Sequence, residues 1–342
     1  MSRLFTTVSA ITLLTGSAAL ADSPRVVADI APVHSLVSRV MDGIGKPDLI
    51  VPNETSPHDY RLRPADAEAL ENAGLVFWMG EGLTPWMERA LESLSGEATI
   101  VELLALDETK TLPFREGALF DAHDHSEHDD HDDHDDHDHD KEHDDHDDHD
   151  DHDHDQEHDD HGHDDHAGHD HGEFDPHAWL STDNAKTWLN VIAAKLSSID
   201  PTNAGGYFAN ASEAIVELDA LDKEVDEMLD TVRGGKFIVF HDAYQYFETV
   251  YDFPASGAIS LGDASDPGAA RIAEIAKRIE SENIQCVLSE PQFNANMVDT
   301  VMAGTEAKTE VIDPLGFGIE PGSSLYTKLI KGMATSLVNC LK

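Results

Sequence analysis

Short apolar runs alternate along this chain with longer amphipathic stretches, several of which begin at a proline or end at a glycine. Such alternation, with helical stretches of about ten residues, is typical of an α/β fold with parallel strands. In the first part of the chain, strands are predicted at 26–30, 49–51, 75–79 and 99–103. Helices are predicted at 32–41, 65–73 and 85–94, with Pro64 suited to the first turn of the second helix.

The same alternation resumes after Gly234-Gly235. Strands are predicted at 237–240, 258–261, 286–289 and 310–312, and helices at 243–250, 267–281, 294–303 and 323–340. Between the two parts, apolar residues recur at steps of three and four from 202 to 232, which predicts one long amphipathic helix. We therefore expect an α/β protein of two lobes, each with a central, mainly parallel sheet flanked by helices, joined by one long rigid helix.

The predicted boundaries follow from this pattern. Residues 22–200 form the N-terminal lobe, 201–233 the linking helix and 234–342 the C-terminal lobe. Residues 1–21 have the pattern of a cleaved signal peptide: a basic Arg3, an apolar segment, and small residues at 19 and 21 before the cleavage point. A poor N-terminal membrane anchor is the alternative. No later segment has 18 apolar residues in a row, so we expect a soluble exported protein.

Charge is concentrated in one segment inside the predicted N-terminal lobe. The chain has 22 Lys+Arg, 69 Asp+Glu and a formal net charge of −47, which argues against nucleic-acid binding. Residues 121–173, called the insertion below, contain 27 acidic residues, one lysine and 18 of the 22 histidines. Because this composition has few apolar residues, we expect a disordered loop.

The insertion's composition also predicts a role. Histidine-rich tracts in exported proteins bind divalent metals, and imidazole favours zinc, copper or nickel. Dense carboxylates stabilise imidazolium, so protons compete with the metal and each ion is held weakly. We expect a low-affinity metal collector; a merely solubilising segment is the alternative.

Four histidines lie outside the insertion. His58 follows the second predicted strand, His241 ends the fifth, and His177 lies where the insertion returns to the fold. Ligands of open parallel sheets bind at the carboxyl ends of the strands, so a metal held by these three rings would lie between the lobes. Three imidazoles and one oxygen complete a tetrahedral zinc site. Surface or capping roles are the alternative for each ring, and His34, with no second motif around it, is a weaker candidate.

The fourth ligand has two carboxylate candidates, with water as the third possibility. Asp313 follows the strand at 310–312 and can face the same crevice. Glu290 follows the strand at 286–289, and an outer or packing role is favoured for it.

The two cysteines, Cys286 and Cys340, form an even count in an exported chain, which favours a disulfide over two buried thiols.

Several motifs in this order resemble a known family. The signal peptide and the acidic histidine tract accompany SPHDY at 56–60, RPAD at 63–66, DPHAW at 175–179, FHDAY at 240–244, EPQF at 290–293 and DPLG at 313–316. Together they resemble the ZnuA-like solute-binding proteins of bacterial zinc ABC importers, over essentially the whole mature chain. The resemblance implies a monomeric periplasmic receptor that holds one Zn²⁺ tightly between two lobes. It also implies two partners, an inner-membrane zinc permease and its cytoplasmic ATPase.

The resemblance assigns roles to individual residues. His58, His177 and His241 match the family's three histidine ligands, and Asp313 matches the aspartate that completes the shell in some members. Some relatives have a glutamate directly before the first histidine, where this chain has Pro57. Manganese-binding relatives carry a glutamate at the position of His241, so the imidazole favours zinc. The cysteine pair resembles the disulfide of the zinc-specific branch.

Two other functions fit a three-histidine site. A zinc hydrolase would use an open metal position to activate water, but the chain has no His-Glu-x-x-His motif, and ligands divided between lobes suit capture better than catalysis. A periplasmic zinc buffer or adhesin without transport is the other alternative. We expect a receptor and not an enzyme.

Overall fold

The first sheet is built from buried apolar strands in the middle and more exposed strands at its edges. A computed structural model describes residues 23–115, 120, 174–260, 268–293 and 296–342. The strands of the first sheet are β1 (Val26–Ala28), β2 (Asp48–Leu49), β3 (Leu75–Trp78) and β4 (Thr99–Glu102). They are parallel and lie in the order β2-β1-β3-β4. Its helices are α1 (Ala31–Val40), α2 (Pro64–Glu71) and α3 (Pro85–Leu94).

The second sheet repeats this arrangement. Its strands are β5 (Phe237–His241), β6 (Ala258–Ser260), β7 (Cys286–Ser289) and β8 (Lys308–Val311), and its helices are α6 (Gln245–Tyr251), α7 (Ala269–Glu282), α8 (Asn296–Met302) and α9 (Leu325–Leu341). The strands are again parallel, in the order β6-β5-β7-β8. In both sheets, therefore, the first strand along the chain lies between the second and the third. Parallel strands require crossover helices, and these cover the sheet faces.

In the described part of the chain, two α-helices lie between the sheets, and only one of them was predicted. The long helix α5 (Ala204–Asp230) has 27 residues, about 40 Å at 1.5 Å per residue, and matches the predicted linking helix. Before it, α4 (Thr182–Ile199) is a helix that the sequence analysis did not predict. Its signals are present in the sequence: Ser181 caps its N-terminus by accepting from the Asn184 N–H at 3.2 Å, and buried residues recur at helical spacing from Ala185 to Leu196.

The lobes share one hydrophobic core. It runs from the first sheet through Trp188 of α4, Leu218 of α5 and Leu329 of α9 to the second sheet. A smaller cluster lies on the other face of the second sheet, where α7 and α8 pack. The disulfide implied by the resemblance is present: Cys286 of β7 is bonded to Cys340 of α9. The α/β class with two parallel sheets and a long connecting helix is thus confirmed.

Some predictions lie outside the described residues. The predicted signal peptide at 1–21 and the insertion at 121–173 are outside the residues that the structure describes. The boundaries assigned to the two lobes stay predictions. Among the helices that the described ranges contain, none is long and apolar enough to cross a bilayer.

Candidate metal centre

Three histidine rings converge, one from the carboxyl end of β5 and two from loops of the first lobe. The ring centroids are 5.6 Å apart for His58 and His177, 5.3 Å for His177 and His241, and 6.4 Å for His58 and His241. One nitrogen from each ring lies within 4.8 Å of the others. Three nitrogens at 2.0–2.1 Å from a tetrahedral zinc ion are about 3.4 Å apart, so small ring movements would bring all three into coordination. His58 and His177 precede the linking helix and His241 follows it.

The loop that carries His58 is held at both ends. The Trp86 indole N–H donates to the carbonyl of Pro57 at 2.9 Å. The Tyr60 hydroxyl donates at 2.6 Å to the Asp66 carboxylate, which also accepts from the Arg63 N–H at 2.7 Å at the start of α2. These contacts give the SPHDY and RPAD motifs a physical role, because they fix the loop on the first turn of a helix and place His58 in the centre.

His177 is oriented by its own segment. The Asp175 carboxylate accepts from the His177 main-chain N–H at 2.9 Å and lies 2.7 Å from ring atom Nδ1. A ring that donates through Nδ1 carries its lone pair on Nε2, so Nε2 is the atom that could bind a metal. The neighbouring Trp179 donates to the carbonyl of Pro314 at 2.8 Å, so the DPHAW segment is tied to the DPLG turn of the second lobe.

A second carboxylate orients His241. Glu290, 4% exposed, lies with Oε1 2.6 Å from the Nδ1 atom of His241. Glu290 thus lies behind the ring, as its expected outer role requires. Nε2 is again the ring atom that can face a metal. Phe293 packs edge-on against the His241 ring, with centroids 5.4 Å apart, and limits its rotation.

Asp313 and His34 lie outside the group of three rings. One Asp313 oxygen accepts three hydrogen bonds, from the Leu315 and Gly316 N–H groups at 3.0 Å each and from Gln292 at 3.1 Å. This oxygen shapes the turn that carries Gly316 at φ +86°. His34 is buried elsewhere, with Nε2 3.1 Å from the carbonyl of Pro47. Neither the Asp313 carboxylate nor the His34 ring belongs to the group of close metal-binding atoms formed by the other three histidines.

Burial sets the electrostatics of the centre. The pKa of Asp175 is raised to about 7, chiefly by burial, although the His177 N–H and the nearby Arg115 lower it in part. Burial also raises the pKa of Asp242, the residue after His241. Acidic groups in a place poor in water favour the arrival of a cation, because a bound divalent ion offsets the penalty of keeping them ionised.

The space among the rings is small. A cavity of about 10 Å³, room for the centre of one water-sized sphere, is lined by the three histidines and by apolar groups that include Trp179 and Leu315. The residue types, all neutral nitrogen donors with carboxylates behind two of them, fit zinc, copper or nickel better than calcium or magnesium.

The side chains that link the centre to its surroundings were not predicted from the sequence. Asp175 and Arg115 were not singled out, although Asp175 stands two positions before His177 in a motif that was. The Asp-Pro-His spacing is a local signal that could have identified it, since a side chain two residues back can accept the ring N–H. Arg115 has no such signal, because its partners lie 127 and 133 positions away.

Comparisons with known proteins agree with this arrangement. The model of a family described as "ZnuA: Zinc-uptake complex component A periplasmic" matches residues 26–340. The high-affinity zinc uptake system protein ZnuA of Brucella abortus (strain 2308) is 46% identical over 326 residues, which cover 95% of this chain and 94% of the relative. The protein of the same name from Paracoccus denitrificans (strain Pd 1222) is 44% identical over 330 residues, 95% of each chain.

Solved structures share the fold. A crystal structure of ZnuA superposes with a TM-score of 0.69 at 20% identity, over 94% of this chain and all of that one. The SBP FpvC of Pseudomonas aeruginosa in complex with Mn²⁺ gives 0.70 at 18% identity, over 93% and 98%. The family match spans nearly all of the described fold, and the chain therefore belongs to the ZnuA family of periplasmic zinc-uptake components.

Proposed function

We propose that this protein is a periplasmic receptor that binds one Zn²⁺ tightly through His58, His177 and His241 and delivers it to an inner-membrane ABC importer. The observation that carries the proposal is the convergence of three imidazole nitrogens, from segments on both sides of the linking helix, within 4.8 Å of one another. Relatives at 46% and 44% identity are named high-affinity zinc uptake proteins, which supports zinc as the cargo. The partners are a zinc permease and its cytoplasmic ATPase.

The fourth ligand is Asp313 or a water molecule. The second oxygen of Asp313 could reach the ion if the turn at 313–316 moved toward the rings. The role proposed for the insertion is that of a weak zinc collector, which raises the local concentration of the ion near the centre.

The small cavity favours a receptor over a hydrolase. A hydrolytic zinc site needs room for an organic substrate beside the metal-bound water, and ligand pockets of that kind measure roughly 300–1,000 Å³. The cavity among the three rings is about 10 Å³. Capture of a bare ion is the chemistry that this space supports.

The direct test is His241→Ala in the full chain, with zinc affinity measured by competition against a chelator. The chelator must bind zinc more tightly than the insertion does, so that only the tight site contributes to the measurement. Loss of a nitrogen ligand should weaken tight binding at least 100-fold, by roughly 3 kcal/mol or more. His34→Gln is the matched control, because His34 is also a buried histidine but lies outside the centre. Unchanged affinity in His241→Ala would exclude the proposed site.

Deletion of residues 123–171 separates the two kinds of zinc binding. The shortened protein should bind fewer zinc ions in total, as measured by calorimetry, and should keep one tight site. If the deletion abolished tight binding, the insertion itself would be the high-affinity receptor and the three-histidine proposal would fall.

A further inference from the structure

Two short segments flank the insertion and are paired with each other. They are residues 112–115 before it and 174–175 after it, together called the stem. Pro113 and Phe174 form an isolated antiparallel bridge, and the Asp175 N–H donates to the carbonyl of Leu112 at 2.8 Å. The stem therefore brings the two limbs of the chain together immediately before His177.

The first attachment of the stem to the second lobe is a tyrosine hydroxyl that bonds to both of its limbs. Tyr246, on α6, accepts from the Leu112 N–H at 2.9 Å and donates to the carbonyl of Asp175 at 2.8 Å. One oxygen thus satisfies a main-chain group of each limb. The neighbouring Gln245 adds a bond from its side-chain amide to the carbonyl of Pro113 at 3.2 Å.

An arginine makes the second attachment. The Arg115 guanidinium donates through Nε to both oxygens of Asp242, at 2.9 and 3.0 Å, and through Nη1 to Glu248 at 2.8 Å. Both carboxylate side chains are only 6% exposed. The planar guanidinium can bond two carboxylates at once, whereas a lysine ammonium is a single point charge. Without this arginine, two buried acids would lose their paired cation, a strongly unfavourable arrangement.

These attachments end at the rings of the metal centre. Asp175, whose carbonyl Tyr246 holds, contacts the His177 ring through its carboxylate. Asp242, which Arg115 holds, is the residue directly after His241. The stem contacts therefore join the segment that orients one ring to the segment that carries the other.

We propose that Arg115 and Tyr246 are positioning residues for the metal centre: by docking the stem on the second lobe, they hold His177 against His241. The inference rests on the proposed function, since it concerns the same zinc site. Neither residue touches the ion. Because zinc needs both rings at once, stem docking favours zinc binding, and zinc binding favours stem docking by the same coupling free energy.

The test compares Tyr246→Phe, Arg115→Gln and Arg115→Lys with the wild-type full chain. The Kd for zinc, measured by chelator competition, should rise roughly 10- to 100-fold in Arg115→Gln, the range found for partners that orient metal ligands. It should rise roughly three- to tenfold in Tyr246→Phe, which loses only neutral hydrogen bonds. The Kd of Arg115→Lys should lie between those of wild type and Arg115→Gln, because lysine keeps the positive charge but cannot bond both carboxylates as the planar guanidinium does. One equivalent of Co²⁺ provides a second readout, since its visible absorption reports the coordination geometry and should change in the same variants.

The matched controls remove similar contacts elsewhere. Tyr207→Phe deletes a buried tyrosine hydroxyl that donates to Asp200 at 2.8 Å near the N-terminus of the linking helix. Lys110→Gln deletes an exposed ion pair with Asp183 just before the stem. Both should keep the wild-type Kd and Co²⁺ spectrum, even where Tyr207→Phe lowers stability.

Each outcome decides the proposal. If Tyr246→Phe and the arginine variants fold and retain the wild-type Kd and spectrum, the stem is only structural and the proposal is wrong. A loss of stability matched by Tyr207→Phe, with no change in Kd, overturns it as well. Tight zinc binding that survives His241→Ala would overturn the proposed function together with this inference, whereas a histidine-dependent site insensitive to Tyr246 and Arg115 would overturn this inference alone.

Discussion

Removing the Glu290 side chain should weaken zinc binding, because Glu290 orients the His241 ring from behind. Its Oε1 atom lies 2.6 Å from Nδ1 of His241 and 3.4 Å from the main-chain N–H of the same residue. In Glu290→Ala the His241 ring loses the acceptor that fixes both its orientation and its tautomer. A ring free to adopt the other tautomer presents Nε2 with its proton in place, and that form cannot bind zinc.

The size of the effect follows from the kind of bond that is lost. A hydrogen bond to a charged group contributes about 1.5–3 kcal/mol, and each 1.4 kcal/mol corresponds to a tenfold change in Kd. The Kd of Glu290→Ala should therefore rise by about 10- to 150-fold. Glu290→Gln keeps an acceptor oxygen and removes the negative charge, so its Kd should rise less, roughly three- to tenfold. The difference in Kd between Glu290→Ala and Glu290→Gln measures the contribution of ring orientation, because both variants lack the charge and only Glu290→Gln keeps an acceptor.

Chelator competition at fixed pH and salt measures both constants, with circular dichroism as the check that each variant is folded. Glu274→Gln is a suitable control, because it removes one negative charge from the same lobe at an exposed pair with Arg271, away from the rings. A folded Glu290→Ala protein with a Kd within threefold of wild type would refute the reasoning, since it would show that the ring is oriented without its carboxylate.

Three further predictions concern pH and stability. Zinc affinity should fall below about pH 6.5, because protons compete for neutral imidazole, and Kd values at pH 5.5 and 7.5 would check this. Replacing Cys286 and Cys340 by serine should lower the free energy of unfolding in urea by about 4 kcal/mol for a loop of this length, while the zinc Kd stays unchanged. Burial raises the pKa of Asp29 to about 7, above its value in the unfolded chain, so the stability it contributes is complete below about pH 4 and is lost as pH rises toward 7. Asp29→Asn should remove that part of the pH slope, which urea unfolding of the metal-free protein between pH 4 and pH 8 would show.

Most of the fold could be predicted because each element has a local pattern. The strand at Cys286–Ser289 and the helix at Pro85–Leu94 begin and end where the sequence places them. The first strand ends at Ala28, two residues earlier than predicted. The Asp29 main chain still donates to Phe77 at 3.2 Å and accepts from Val51 at 2.8 Å. The chain turns away at Ile30, whose N–H donates to the Asp29 carboxylate at 2.7 Å instead of to a neighbouring strand. Apolar periodicity alone does not contain that side-chain contact.

The centre was predictable in part for the same reason. Strand exits and short motifs point to three histidines, and parallel topology brings strand ends to one edge. The contacts that hold the rings join distant parts of the chain: Glu290 is 49 positions from His241, and Arg115 is 127 from Asp242. No local pattern specifies that Glu290 meets His241 or that Arg115 meets Asp242. Long-range pairing is decided by packing of the whole fold.

The two sheets also explain why the rings gather on one side. In the first sheet, the crevice between the ends of β1 and β3 is filled by the Asp29 carboxylate, which is satisfied by main-chain N–H groups on both sides. In the second, the equivalent crevice between β5 and β7 holds the His241–Glu290 pair. Each Asp29 oxygen accepts from a main-chain N–H inside the first lobe, whereas an imidazole backed by a carboxylate presents its other nitrogen. In the proposed site, the second sheet therefore contributes a ligand from its strand end, and the first lobe reaches the ion through loops. We therefore expect zinc affinity to depend on how firmly those loops are held against the second lobe, as well as on the ligands.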